Sequence, residues 1–416
     1  VNSGEYKLMG LAPYGRAKYV NLIKENLITI KNDGSFKLDM SYFNYTSGLE
    51  MTSKKFNDLF QSPPRPREGK LTQKHMDLAA SIQKVTEEIV VKLAIHAKEI
   101  TGCKNLCLAG GVALNCVANG VLLRKNIFDK IWIQPASGDA GGSLGAAFSF
   151  YYQELNSERK LCDEYSDKMQ GSFLGPQFSE SQIKNYLTSI KANYKIINEE
   201  DKLIDIVSSE LVDQKIIGWH HGKMEFGPRS LGHRSIIGDP RNKRMQSIMN
   251  KKIKFRESFR PFAPSVLREK VHEWYEIDED SPYMLFVAPV KKEKCFKMTK
   301  NQNKLFGINK IKIPRSEIPA VTHVDYSARI QTVHKETNSR YYKLIDKFFQ
   351  KTGCPTIVNT SFNVRGEPIV CSPEDSFICF MRTEIDVLVI GNFILYKKDQ
   401  KEIIDNKMWK KQYELD

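Results

Sequence analysis

The 416-residue sequence contains no GxxxxGK[ST] loop, so any nucleotide it binds is not held in a P-loop. It contains no CxxC pair, and no histidine cluster stands near its eight cysteines, which argues against a zinc site. Histidine itself is scarce: of eight, only His75 and His96 precede residue 200, and neither falls in a His-xxx-His pattern. No apolar run is long enough to span a bilayer, which argues against a membrane anchor. No signal-peptide pattern opens the sequence. There is no internal repeat and no low-complexity segment. An initiator Met is also missing, and Val1-Asn2-Ser3-Gly4 runs straight into what reads as mid-domain sequence. The expectation is a chain truncated at its N-terminus.

What is present is ordinary for a globular protein of two or three domains: 41% hydrophobic and 27% charged residues. The net charge is +14 and the pI about 9.2. Lysines are scattered, which argues against nucleic acid. Arginine and lysine gathered in the second half suit anionic substrates better. The cysteines lie mostly in apolar runs such as Leu106-Cys107-Leu108, which reads as reduced core thiols in a cytoplasmic protein.

Residues 1–70 read as loop-rich, and Pro63-Pro64-Arg65-Pro66 cannot be helix interior. From Thr72, Leu78, Ile82, Val85, Ile89, Leu93 and Ala97 recur at three- and four-residue steps and predict a long amphipathic helix. Strands are expected at 105–109 and 131–133, with helices after each, ending at 122 and covering 144–152. Helix, strand, helix, strand, helix is half of an α/β domain. A polar stretch, 153–180, is the expected boundary. Beyond it the pattern predicts a helix near 204–212 and strands at 215–219, 283–290, 320–324, 356–359 and 386–390. One helix start is sharply written, with Ser372 as N-cap, Pro373 at the first position, and Glu374 and Asp375 at the positive helix end.

Leu108-Ala109-Gly110-Gly111-Val112-Ala113-Leu114-Asn115 places two glycines between a strand and a helix, where a ligand can approach backbone. Packing alone also explains such glycines. Ser137-Gly138-Asp139 puts a carboxylate at the C-terminal end of a strand, the ligand-binding end of α/β folds. Gly110, Gly111, Asn115 and Gly138 are candidate nucleotide contacts. Asp139 is the candidate metal ligand or positions phosphate-bound Mg²⁺, or else it is a helix cap.

The second half carries Met224-Glu225-Phe226-Gly227-Pro228-Arg229-Ser230-Leu231-Gly232-His233-Arg234, then Lys254-Phe255-Arg256-Glu257-Ser258-Phe259-Arg260. Alternating aromatic and cationic residues point to an ordered anion site, since guanidinium forks bind phosphate or carboxylate bidentately. Structural salt bridges are the plainer reading. Asn359-Thr360-Ser361-Phe362-Asn363-Val364-Arg365 follows an expected strand and suits an oxyanion. His323 is a candidate base or nucleotide contact, and Arg234, Asn359 and Arg365 are candidate substrate contacts.

In this order these motifs, with Glu5-Tyr6-Lys7-Leu8-Met9-Gly10-Leu11-Ala12-Pro13-Tyr14-Gly15 before them, resemble the NodU/CmcH/TobZ O-carbamoyltransferases. The resemblance implies a partial actin-like (ASKHA-type) α/β domain over 1–160, followed by a YrdC-like domain over 172–400. The second domain is then expected to make carbamoyl adenylate from carbamoyl phosphate and ATP. The first is expected to pass the carbamoyl group to the hydroxyl of a small molecule or glycan, with iron bound there. It further implies that Lys254, Arg260, Arg329 and Ser361 hold carbamoyl phosphate, that Arg229 and Arg365 assist, and that Asp139 matches a metal-ligating Asp. The family's metal-binding histidine pair lies in a stretch absent from this sequence. Two other readings stand beside this one: an enzyme related to tRNA threonylcarbamoylation, and a non-catalytic fragment.

Overall fold

The computed structural model describes residues 4–66, 68–159 and 167–401. Its strands are β1 (Ile28–Ile30), β2 (Phe36–Leu38), β3 (Asn105–Leu108), β4 (Lys130–Ile133), β5 (Lys195–Ile196), β6 (Ile217–His220) and β7 (Arg234–Gly238). They continue as β8 (Ala263–Leu267), β9 (Phe286–Pro289), β10 (Ser327–Val333), β11 (Thr356–Ser361), β12 (Val387–Ile390) and β13 (Phe393–Tyr396). Nine strands form one sheet in the order β5-β13-β12-β6-β7-β11-β8-β10-β9. Only β12·β6 and β10·β8 are parallel pairs within it. The fold is mixed α/β around this large sheet. No helix among the described residues is long and apolar enough to cross a membrane.

The long helix forms as its periodicity predicts, over Gln73–Thr101, and ends on Gly102 in the left-handed conformation, φ +63°. Its buried stripe is narrower than expected. Met76, Ala79, Val85, Ile89 and Ala94 are covered, whereas Ile82 and Leu93 are exposed. Residues 1–70 are less loop-like than expected. Three short α-helices and the β1–β2 hairpin form there among the described residues: Leu11, Ala12 and Tyr14 pack with Met76 and Ala79, and Ile23, Leu27, Ile28, Tyr42 and Phe60 bury themselves against Val85 and Ile89.

β3 and β4 pair in parallel as a separate two-stranded sheet, followed by the helix Gly141–Ser149. Parallel strands are usually covered on both faces. Here one face packs inward through Leu106, Leu108 and Ile131, while Cys107 and Trp132 stay exposed. Cys103 and Cys107 are therefore exposed free thiols, a correction to the expectation of core cysteines. Cys116, Cys354 and Cys379 are buried as expected, and Cys162 lies outside the described residues.

The expected strand at 320–324 is a folded turn. Ala320, Val321 and Val324 are buried, but by reversal of the chain: the Tyr326 N–H donates to the His323 carbonyl, and Tyr326 sits at φ +67°. Apolar residues packed into a turn read like a strand when only hydropathy is visible. The helix Pro373–Arg382 begins with the Ser372–Asp375 capping box that its sequence announces.

The two halves meet along β9. The helix Cys116–Arg124 lies against this edge strand, with Asn119 Nδ2 donating to the Leu285 carbonyl at 3.1 Å and Arg124 to the Val287 carbonyl at 2.9 Å. An edge strand that would otherwise expose unpaired carbonyls is closed in this way.

Candidate functional site

A cavity of about 400 Å³ opens where the ends of several second-half elements converge. The helix Met245–Ile248 passes into a π-helical turn over Met249–Ile253, and Lys254 follows with its N–H on the Met249 carbonyl. π turns recur at functional sites. The next residue, Phe255, holds φ +47°, a left-handed conformation that a bulky residue adopts only when its surroundings enforce it. This kink sends Lys254, Arg256 and Arg260 into one cavity, opposite Ser361 at the end of β11 and the loop 363–368.

Lys254 is buried, and its ammonium is surrounded by oxygens. It donates to the Ser361 carbonyl, to Ser361 Oγ at 3.1 Å, to the Asn363 carbonyl at 2.9 Å and to Asn363 Oδ1 at 2.7 Å. Four acceptors exceed its three hydrogens. Ser361 Oγ in turn donates to Asn363 Oδ1 at 2.7 Å. Lys254 thus braces the loop that walls the cavity.

The electrostatics are one-sided. Burial, then the Arg256 charge, hold Lys254 well below the ordinary lysine range. Burial, then Arg260 and Arg329, hold Arg256 well below the ordinary arginine range. Arg229, pushed down to about 9, is held there by burial and then by Arg329. Among the described residues no carboxylate forms an ion pair with Arg229, Lys254, Arg256, Arg260 or Arg329. Arg365 differs. Its guanidinium is paired with Glu68, at 2.6 and 3.0 Å, and lies 3.7 Å from Glu257. Mutually repelling buried cations are costly to keep in place, and an anion in their midst opposes each shift.

Four sequence-derived candidates, Lys254, Arg260, Ser361 and Arg365, line this cavity. Arg329, on β10, stands beside them as an electrostatic neighbour of Arg256 and Arg260. Arg229 belongs to the same charged group. Arg234 does not. It is fully buried, and its fork is spent on the carbonyls of Cys371, His221, Gly222 and His233. Asn359 is likewise interior, donating to the Ser230 carbonyl and Gln331 Oε1. His323 lines a separate cleft behind Phe259 and Pro261, with Nδ1 3.5 Å from Asp325 and Tyr14 packed edge-on at 5.3 Å. Arg256, Asn363 and Tyr6 also line the cation cavity; they fall within the sequence motifs but are not singled out there as site residues. The cation–aromatic alternation around Arg256 was the available signal for it.

In the first half, the Gly110 N–H donates to the Ser137 carbonyl at 2.7 Å, so the two glycine loops lie side by side. Gly110 needs its glycine, with φ +97°. Gly110 and Gly111 face open space, and Gly138 abuts Leu114. Asn115 is committed locally: its side chain caps the helix Cys116–Arg124 and exchanges hydrogen bonds with Gln83.

Asp139 is exposed in the turn after β4. Among the described residues no three His, Cys, Asp or Glu side chains stand together as metal ligands. One carboxylate is too small a donor set for iron, so the residues present do not fit that ion. Metal analysis of the purified chain is expected to find far less than one iron per chain, unchanged by Asp139→Ala. A full equivalent that disappears with Asp139→Ala would show a site the described residues do not form.

Residues 1–148 match the family model described as Carbamoyltransferase N-terminus, and residues 208–397 the one described as Carbamoyltransferase C-terminus. The chain is 58% identical to the uncharacterized protein sll1178 of Synechocystis, over 100% of this chain and 68% of that protein. It is 36% identical to nodulation protein NolNO of Sinorhizobium fredii, over 95% of this chain and 53% of that one. With nodulation protein NolO of Bradyrhizobium diazoefficiens it shares 34% identity, over 95% of this chain and 66% of that one. The chain therefore spans between about half and two thirds of the length of these relatives. The solved structure of full-length HypF in its phosphate- and nucleotide-bound form overlaps 51% of the chain at a TM-score of 0.29 and 16% identity, too slight a likeness to bear on the fold. With both family models matched in order and a 58% identical relative spanned over two thirds of its length, the chain belongs to the carbamoyltransferase family.

Proposed function

We propose that the cation cavity binds carbamoyl phosphate and that the chain uses ATP to convert it to carbamoyl adenylate. The observation that carries this reading is that Lys254, Arg256 and Arg260 line one cavity, with Arg229 and Arg329 as charged neighbours, and that among the described residues no carboxylate forms an ion pair with any of the five. Carbamoyl phosphate is small and dianionic, so it needs several cations and little apolar wall. Water cleaves it to orthophosphate and carbamate. A carbamate oxygen then attacks the ATP α-phosphorus, a new P–O bond forms, the α–β bridge breaks and pyrophosphate leaves. Arg256 and Arg260 are placed to offset the charge that builds on the phosphoryl oxygens.

In this reading residues 172–400 are the YrdC-like adenylating part and residues 1–160 the actin-like transferring part of a cytoplasmic enzyme. Gly110 and Gly111 offer open backbone for the adenylate, and a small-molecule or glycan hydroxyl is the acceptor. The decisive experiment is ATP–pyrophosphate exchange with carbamoyl phosphate supplied, which needs no acceptor. Exchange dependent on carbamoyl phosphate is expected. Its absence in a folded chain that binds both substrates would refute adenylation here and favour the non-catalytic reading.

A further inference from the structure

Of the four cations that line the cavity, Arg256 donates to Asn250 through Nε and packs over Phe262, and the other three are held in three further ways. Lys254 spends its hydrogens on Ser361 and Asn363. Arg365 spends its fork on Glu68. Arg260 has neither kind of partner: among the described residues no carboxylate pairs with it, and no acceptor takes a hydrogen bond from its guanidinium. What it rests on is an aromatic ring, that of Tyr6, whose centroid lies 4.8 Å from the guanidinium carbon.

That choice of partner has a chemical consequence. A carboxylate beside Arg260 would occupy its N–H donors and cancel its charge. An aromatic face attracts the cation through the ring quadrupole and uses none of those donors. Tyr6 itself lines the cavity, as Arg256 does. The backbone around the pair is fixed from the same side. Tyr14 donates from its hydroxyl to the Phe259 carbonyl at 2.9 Å, one residue before Arg260.

We propose that Tyr6 is a positioning residue of the anion pocket, supplied by the first half of the chain. It presents the Arg260 guanidinium to a phosphate-bearing substrate with its donors unspent. The pocket is complete only when the two halves are docked, since Tyr6 forms one wall and Glu68 reaches Arg365 on another. This rests on the reading that the cavity takes an anionic substrate.

The test uses the full chain and inorganic phosphate as probe, with affinity read by titration calorimetry. Tyr6→Leu is expected to weaken phosphate binding about tenfold, the scale of a partly desolvated cation–aromatic contact. Tyr6→Phe keeps the ring and should stay within about threefold of the parent. Tyr6→Trp should do the same, and keeps the comparison available if the leucine variant folds poorly. In an Arg260→Ala background the further change Tyr6→Leu should have no effect, because its action runs through Arg260. Unchanged phosphate affinity in Tyr6→Leu, or an equal loss with and without Arg260, overturns the proposal. Failure of the parent chain to bind phosphate saturably overturns the anion-pocket reading as well.

Discussion

Lys254→Ala is expected to lower carbamoyl-phosphate-dependent ATP–pyrophosphate exchange by about 100-fold or more, the scale set by losing a buried charge that organises an anion site. The ammonium holds Ser361 through its carbonyl and Oγ, and Asn363 through its carbonyl and Oδ1. Without it, Ser361 Oγ and the loop 363–368 lose the point that fixes them across from Arg256 and Arg260. Two carbonyls in a half-buried wall also lose a donor, which costs about 1–3 kcal/mol each unless water replaces it. A fall in melting temperature should therefore accompany the loss of exchange. Lys254→Arg should not rescue. Three hydrogens on a point charge meet oxygens in a cluster, whereas a planar fork cannot, and it is bulkier in a filled space. Exchange at the parent rate in either variant would remove Lys254 from the machinery of this pocket.

The elements were more legible in the sequence than the site. The long helix, β3, β4, β11, β12 and the capped start of Pro373–Arg382 follow from periodicity, turn glycines and a capping box. These are local signals, read within a few residues. Lys254, Arg260 and Ser361 were legible as a group because their motifs combine charge, hydroxyls and glycine in short runs. Tyr6 could not be found in that way. It joins the pocket through a contact with Arg260 that no neighbouring residue announces.

The opposite error has one physical cause. Arg234, Asn359 and Asn115 are of the right type for ligand contacts, but they spend their polar atoms on the protein itself. Residue type gives the number of donors and acceptors a side chain owns. It does not say whether backbone carbonyls already take them. Buried polar groups must be satisfied somewhere, and in a large sheet much of that demand is internal. Arg256 shows the converse. It hydrogen-bonds Asn250 through Nε and packs over Phe262 at 5.0 Å, so part of its fork remains for the cavity.

Gly120→Ala sets two known effects against each other. In the interior of the helix Cys116–Arg124, alanine is favoured over glycine by about 1 kcal/mol. On propensity alone the variant should be more stable. However, a Cβ at Gly120 would stand 2.0 Å from the Val287 carbonyl oxygen, and Arg124 Nη1 is 3.2 Å away. The obstacle is backbone in β9, which cannot swing aside like a side-chain end. Val287 pairs directly with Arg329 of β10, so displacing it also moves a cation of the pocket. Relief requires the helix to lift, which weakens the Asn119 and Arg124 hydrogen bonds to β9. Such overpacking costs about 1–3 kcal/mol before those bonds are counted, so the interface should outweigh propensity. Gly120→Ala is therefore expected to destabilise the chain by roughly 2–4 kcal/mol. Denaturant titration gives that number, and phosphate titration of the folded fraction should show weaker binding as Arg329 and Tyr6 lose register. Equal or higher stability in Gly120→Ala would mean that helix and edge strand do not touch this closely, and the composite pocket would lose its scaffold.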